Sequence, residues 1–229
     1  MRMNRAGLKA ASRQCILDAT VSPVLVTLVL YLIIYGFSVL TSMSYLPLLN
    51  METLSYEDYL YQLGRMQSAS FVTTIVELLL AIFTFGYQSY LLRLSRRMAA
   101  SYSNLLDGFR LFGKVLWLNI LTGIFVMLWS LLFVIPGIIA AYRYRLACYV
   151  LLDDPQLTAR EALRISCRLT RGHKAELFVL DLSFIPWHLL CGLTLGILYI
   201  WKLPYIQVTY AHAYNWILTL QRQEDPTWN

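Results

Sequence analysis

Residues 19–43 read ATVSPVLVTLVLYLIIYGFSVLTSM, 25 residues without a charge. At 1.5 Å rise per residue, about 20 apolar residues cross a hydrocarbon core of roughly 30 Å. The pattern recurs. Val72 to Leu92 is uncharged but for Glu77, and Val115 to Val134 is uncharged. Leu177 to Ile200, interrupted by Asp181, and Leu203 to Leu220 complete the set. One such run fits a buried helix. Five or six in 229 residues make lipid the solvent for most of the chain. Hydrophobic residues reach 58% and charged residues only 14%, against about 25% charged in soluble domains. The connections are too short for an appended catalytic domain, so a single six-span integral membrane domain over 1–229 is expected.

The net charge is +6, but the placement of Lys and Arg matters more than the sum. Arg2, Arg5, Lys9 and Arg13 precede the first run. Arg93, Arg96, Arg97, Arg110 and Lys114 crowd a second segment, and Arg160, Arg164, Arg168, Arg171 and Lys174 a third. The positive-inside rule puts these segments and both termini in the cytoplasm. The 44–69 loop, with Glu52, Glu57, Asp58 and Tyr45, Tyr56, Tyr59 and Tyr61, faces out along the headgroups. The first run exceeds the h-region of a signal peptide, about 7–15 residues, and reads as an uncleaved span.

The spans are expected near 19–43, 70–94, 115–135, 138–152, 175–195 and 203–220. Basic surface helices are expected near 3–16, 95–114 and 156–171. The first has Leu8, Ala11 and Cys15 on one side, and it is expected to lie along the inner leaflet. Pro136-Gly137 is expected to break the chain between spans 3 and 4. That pair is a tight hairpin or one span plus a re-entrant segment. The basic segments on either side favour the hairpin. Thr158-Ala159-Arg160-Glu161 matches a capping box. Spans 5 and 6 are expected to hinge near Trp201–Pro204. Cys15, Cys148, Cys167 and Cys191 lack metal or redox spacing and read as small apolar fillers.

A weak repeat is visible. Leu121-Thr122-Gly123 precedes Pro136, with Tyr142 six residues beyond that proline. Leu190-Cys191-Gly192 precedes Pro204, with Tyr210 six beyond it. The architecture expected is an all-α polytopic helix bundle. Its six transmembrane helices form three hairpins, each preceded by a basic segment.

The second half is distinctive. It carries Asp153-Asp154-Pro155, Ser166, Arg171-Gly172-His173-Lys174 and Asp181-Leu182-Ser183-Phe184-Ile185, then Trp187, Gly196, Trp201, Pro204-Tyr205 and Tyr214. With Ile135-Pro136-Gly137 and the N-terminal Arg5 and Lys9, it resembles a bacterial integral membrane family labelled domain of unknown function 975. Thr170-Arg171 and Pro186 depart from that pattern, and Pro186 is expected to kink span 5. The resemblance implies six spans and the bacterial cytoplasmic membrane. It implies no established activity. The family is itself similar to membrane domains attached to glycerophosphodiester phosphodiesterases, which points to lipid-associated work.

Ionisable groups inside spans are functional candidates. Arg143 and Arg145 lie at a depth in span 4 that matches Asp181 in span 5. An Arg–Asp pair is expected, serving helix packing or anionic headgroups. Glu77, His188 and His212 are polar-cavity or relay candidates without metal-ligand spacing. The surface from Arg160 to Lys174 fits anionic lipid, not nucleic acid. There is no G-x-S-x-G, P-loop or dinucleotide fingerprint, and no cofactor is expected. The leading expectation is a non-enzymatic membrane protein that binds lipids or a membrane partner, or self-associates, in envelope homeostasis. A small transporter or lipid-handling carrier with a polar cavity between spans 4 and 5 comes second. A membrane-embedded lipid enzyme comes last.

Overall fold

A computed structural model describes residues 3–45 and 56–224. The fold is all-helical, with 83% helix and no strand among the described residues. Its helices are α1 (Arg5–Leu17), α2 (Pro23–Tyr45), α3 (Tyr56–Ser95), α4 (Asp107–Arg110), α5 (Phe112–Leu132) and α6 (Val134–Tyr144). They continue as α7 (Ala147–Asp153), α8 (Ala159–Leu169), α9 (Lys174–Leu182), α10 (Ile185–Leu193) and α11 (Tyr199–Glu224). Four stretches are long and apolar enough to cross a membrane: Ser70–Ser95, Phe112–Leu132, Val134–Asp153 and Lys174–Leu193. The chain is therefore a multi-pass membrane protein. Of the other two expected spans, α2 offers the shorter apolar stretch Pro23–Val39. Lys202, Gln207, His212 and Asn215 make α11 more polar than the four.

Large apolar side chains face outward along these helices. Leu131 is 81% exposed, Leu193 82% and Leu195 93%. In water such a surface would aggregate; in hydrocarbon it is the expected exterior. The protein core lies elsewhere, in two clusters. One joins Phe85, Tyr149, Leu163, Leu177, Phe184 and Tyr214. The other joins Cys15, Val26, Leu30, Tyr87 and Tyr90.

Several expected boundaries move. α3 is one helix of 40 residues, about 60 Å long. Residues 56–69, expected as surface loop, therefore belong to it. No proline lies between Tyr56 and Ser95 to stop it. The rest of the 44–69 loop, residues 46–55, lies outside the described residues, as do residues 225–229.

The 95–114 connector folds onto α3. A Cβ on Gly86 would sit 2.1 Å from the Leu105 carbonyl oxygen, and one on Gly108 2.2 Å from that of Ile82. Two glycines thus let the backbones touch. Asp107 ties the contact, accepting from Ser89 at 2.7 Å and from Asn104 at 2.9 Å.

The α5–α6 break is at Phe133, which is extended (φ −162°, ψ 153°), three residues before Pro136. Proline is tolerated in the first turn of a helix, where no amide partner is needed. Pro136-Gly137 therefore belongs to the start of α6, and Gly137 serves packing. A Cβ there would lie 2.1 Å from Ser130 Oγ. Likewise α11 begins at Tyr199 and runs through Pro204. The turn lies earlier, where Leu195 (φ 51°) and Gly196 (φ 85°) are left-handed, so the hinge expected near Trp201–Pro204 is not there.

The capping box forms as expected. Thr158 N–H donates to Glu161 Oε2 at 2.8 Å, and Glu161 N–H donates to Thr158 Oγ1 at 3.3 Å. α8 buries Ala159, Ala162, Leu163, Ser166 and Leu169, leaving Arg160, Arg164, Arg168 and Arg171 exposed on the other side. α1 packs one face on α11. Its buried Ser12 Oγ accepts from Thr209 Oγ1 at 3.0 Å, and Cys15 Sγ lies 3.6 Å from His212 Nε2. Polar groups on both helices satisfy each other there, which a lipid surface would not do.

Candidate functional site

Two of the apolar stretches are broken in mid-course, and the breaks bring a charged pair together. α9 ends at Leu182 and α10 starts at Ile185. Pro186 lacks the amide that would continue the ladder, as the sequence leads one to expect. Ser183 Oγ donates back to the Leu180 carbonyl at 2.5 Å. Lys9 of α1 donates to the Ser183 carbonyl at 3.3 Å and places its ammonium 4.4 Å from the Phe184 ring centre. A cation thus caps the C-terminal end of α9.

The α6–α7 break has no proline. It falls at Arg145–Leu146. Ser166 of α8 donates to the Arg143 carbonyl at 2.7 Å, and Thr170 approaches it at 3.5 Å. Hydroxyls from a neighbouring helix take the carbonyl that the next turn would have used.

Asp181 sits in the last turn of α9, and Arg145 at the end of α6. Arg145 Nη1 donates to Asp181 Oδ2, forming the expected Arg–Asp pair. The Tyr142 hydroxyl donates to the same oxygen at 2.5 Å. The guanidinium lies 4.2 Å from the Tyr210 ring centre and 5.5 Å from that of Tyr142, within cation–π range. The two tyrosines that mark the sequence repeat thus flank one arginine. Arg143 contributes its backbone carbonyl, and its side chain is not part of this cluster. Asp181 Oδ1 is buried without a hydrogen-bond partner.

The cluster borders a cavity of about 510 Å³ lined by Tyr142, Arg145, Asp181, His188, Gln207 and Tyr210, with apolar walls from Phe178 to Ile206. A second cavity of about 160 Å³ shares Arg145, Gln207 and Tyr210 and adds Gln88. A third of about 250 Å³ shares Arg145 and Gln88 and adds Asn119. Arg145 therefore joins three cavities. The Gln88 side-chain oxygen is the other buried atom without a partner among the described residues.

The remaining candidates do not converge. His188 lines the large cavity, with Nδ1 2.6 Å from the Tyr199 hydroxyl. His212 meets Cys15 instead, and Glu77 is exposed on α3. Among the described residues no group of three His, Cys, Asp or Glu could hold a metal ion.

A second Arg–Asp pair escaped the sequence reading. Arg96, just past α3, donates bidentately to Asp153 at 2.6 and 2.8 Å. Tyr214 donates to Asp153 Oδ2 at 2.8 Å, and Arg96 Nε donates to Asn215 Oδ1 at 3.0 Å. Asn215 in turn donates to Ser95 Oγ at 3.1 Å. This network clasps the ends of α3 and α7 to α11.

Residues 131–221 match the family model described as "Protein of unknown function (DUF975)". That stretch of the chain is similar to DUF975. The matched segment runs from the last turn of α5 to the last turns of α11, so Tyr142, Arg145, Asp153, Asp181, Tyr210 and Tyr214 all lie within it. Arg96 and Gln88 precede it. Neither curated proteins nor solved structures yield a match.

Proposed function

We propose that this DUF975 protein is a non-enzymatic, lipid-handling carrier of the bacterial cytoplasmic membrane. It has six spans, with both termini and the basic segments inside. One observation carries the reading. An ion pair at two broken helices leaves one carboxylate oxygen buried and unpartnered beside a cavity of about 510 Å³. A pair kept only for helix packing would be saturated. Discontinuous helices and intramembrane charge are where transporters build ligand sites. Polar residues at one end and apolar walls at the other fit a headgroup with its acyl chains.

The exposed Arg160, Arg164, Arg168 and Arg171, with Lys174 beyond them, support a second contact, with anionic headgroups at the membrane surface. Each adds about 1 kcal/mol near such a surface. Together the two features fit a role in envelope homeostasis.

Native mass spectrometry of the detergent-extracted protein tests this. The wild type should retain lipid that Ile185→Trp, which fills the large cavity, releases. Identical lipid occupancy in the two proteins would refute the cavity as the site.

A further inference from the structure

The charges in the cluster select among headgroups. Arg145 is already paired with Asp181 and flanked by two tyrosine rings. A phosphate approaching the guanidinium would meet the Asp181 carboxylate, and an ammonium approaching Asp181 would meet the guanidinium. At a few ångströms in a partly desolvated site such repulsion is only weakly screened. The pair is neutral as a whole, so it selects for an uncharged ligand.

The unmet hydrogen-bonding capacity has one sign. Among the described residues the two buried polar atoms without partners are Asp181 Oδ1 and Gln88 Oε1, and both are acceptors. Asp181 lines the large cavity and Gln88 the two smaller ones, and Arg145 borders all three. A ligand that satisfies them must bring O–H or N–H donors. It must also span neighbouring cavities. Gln207 and Tyr210, shared by the large and smallest cavities, supply an amide and a hydroxyl between the two.

We infer that the site takes an uncharged polyol headgroup, a sugar-type headgroup on an acyl lipid, whose hydroxyls donate to Asp181 Oδ1 and to Gln88 Oε1. This rests on the lipid-handling reading above and names its substrate class. A polyol satisfies both at once and carries its own apolar tail for the walls formed by Phe178, Leu182, Ile185 and Ile206.

The test uses the full chain in nanodiscs of phosphatidylcholine doped with equal amounts of monoglucosyl diacylglycerol and phosphatidic acid. Native mass spectrometry reads which lipid stays bound after release. The wild type should hold the glucosyl lipid in preference. Gln88→Leu should lower its occupancy about threefold to tenfold, the loss of one neutral hydrogen bond. Preference for phosphatidic acid would overturn the polyol assignment and leave the lipid-handling reading standing. Unchanged glucosyl-lipid occupancy in Gln88→Leu would also overturn it. Binding of neither lipid by the wild type would overturn both. Should Gln88→Leu not fold, the wild-type preference between the two lipids still decides.

Discussion

Arg96–Asp153 and Arg145–Asp181 use the same two residue types, and their side chains are about equally exposed, between 25% and 31%. At Asp153 both oxygens are used: each accepts from Arg96, and one also accepts from Tyr214. At Asp181 one oxygen takes both the arginine and the tyrosine, and the other takes nothing. The first pair closes a helix junction. The second borders three cavities. Residue type therefore does not distinguish a fastening from a binding site. The count of unmet lone pairs does, because an orphaned buried acceptor is held against its desolvation penalty.

The largest effect is expected where the pair is saturated. Asp153→Ala removes the partner of a guanidinium and of a tyrosine hydroxyl at the junction of α3, α7 and α11. Hydrogen bonds to charged groups contribute about 1.5–3 kcal/mol each. With solvent screening, a total of roughly 3 kcal/mol is expected, which lowers Tm by about 6–12 °C in a chain of this size. A thermal-shift measurement in detergent checks it. Asp181→Ala should cost less, about 2 kcal/mol, because Asp181 makes fewer bonds and keeps an orphaned oxygen. It should still exceed any change in the 221–229 tail. Unlike Asp153→Ala, it should change lipid retention in still-folded protein. Equal Tm losses together with equal lipid retention would dissolve the contrast.

A charge change outside both pairs should move only the partner. Replacing Arg160, Arg164, Arg168 and Arg171 by Gln should leave Tm within about 1 °C, since exposed charges contribute little to stability. It should weaken retention of anionic lipid by several kcal/mol, at about 1 kcal/mol per residue. Flotation with phosphatidylglycerol vesicles reads this. Unaltered flotation would assign those arginines to topology alone.

Sequence and structure agree where the physics is local. Thr158 and Glu161 cap α8 because capping depends on residues three apart, and Pro186 breaks α9 from α10 because a missing amide acts on its own helix. The Arg145–Asp181 pair was legible because two charges at matching depth in lipid must find each other. The α6–α7 break was not legible. Its cause is a hydroxyl on Ser166, 23 residues away from the Arg143 carbonyl it caps. Arg96–Asp153 was hidden likewise. Each residue reads as an ordinary polar terminus, and only the packing of α3 against α7 brings them together. The repeat gave more than it promised. Tyr142 and Tyr210 marked two prolines in sequence, and in space they enclose one guanidinium. Pro136 misled, because a proline in a first turn and a proline at a break look alike in sequence.

The smallest expected effect concerns Glu161, which lies beyond both pairs at the start of α8. The backbone amide of Thr158, and after it the Thr158 hydroxyl, donate to this carboxylate and hold its pKa below the usual 4.5. A depressed carboxylate pKa means the native state favours the ionised form. The contribution is therefore complete above the unfolded value, near 4.5, and is lost as pH falls through the folded one. Amide exchange at Thr158 and Glu161 should accelerate as pH drops below about 4.5 relative to the intrinsic rate, and Glu161→Gln should remove that step. Global Tm should follow it little, since the cap is fully exposed. Asp153 is held by Arg96 and Tyr214 rather than by the cap, so Glu161→Gln should leave exchange in α7 unchanged. If α7 and the cap open together, the clasp and α8 form one cooperative unit, and the saturated pair owes part of its strength to Glu161.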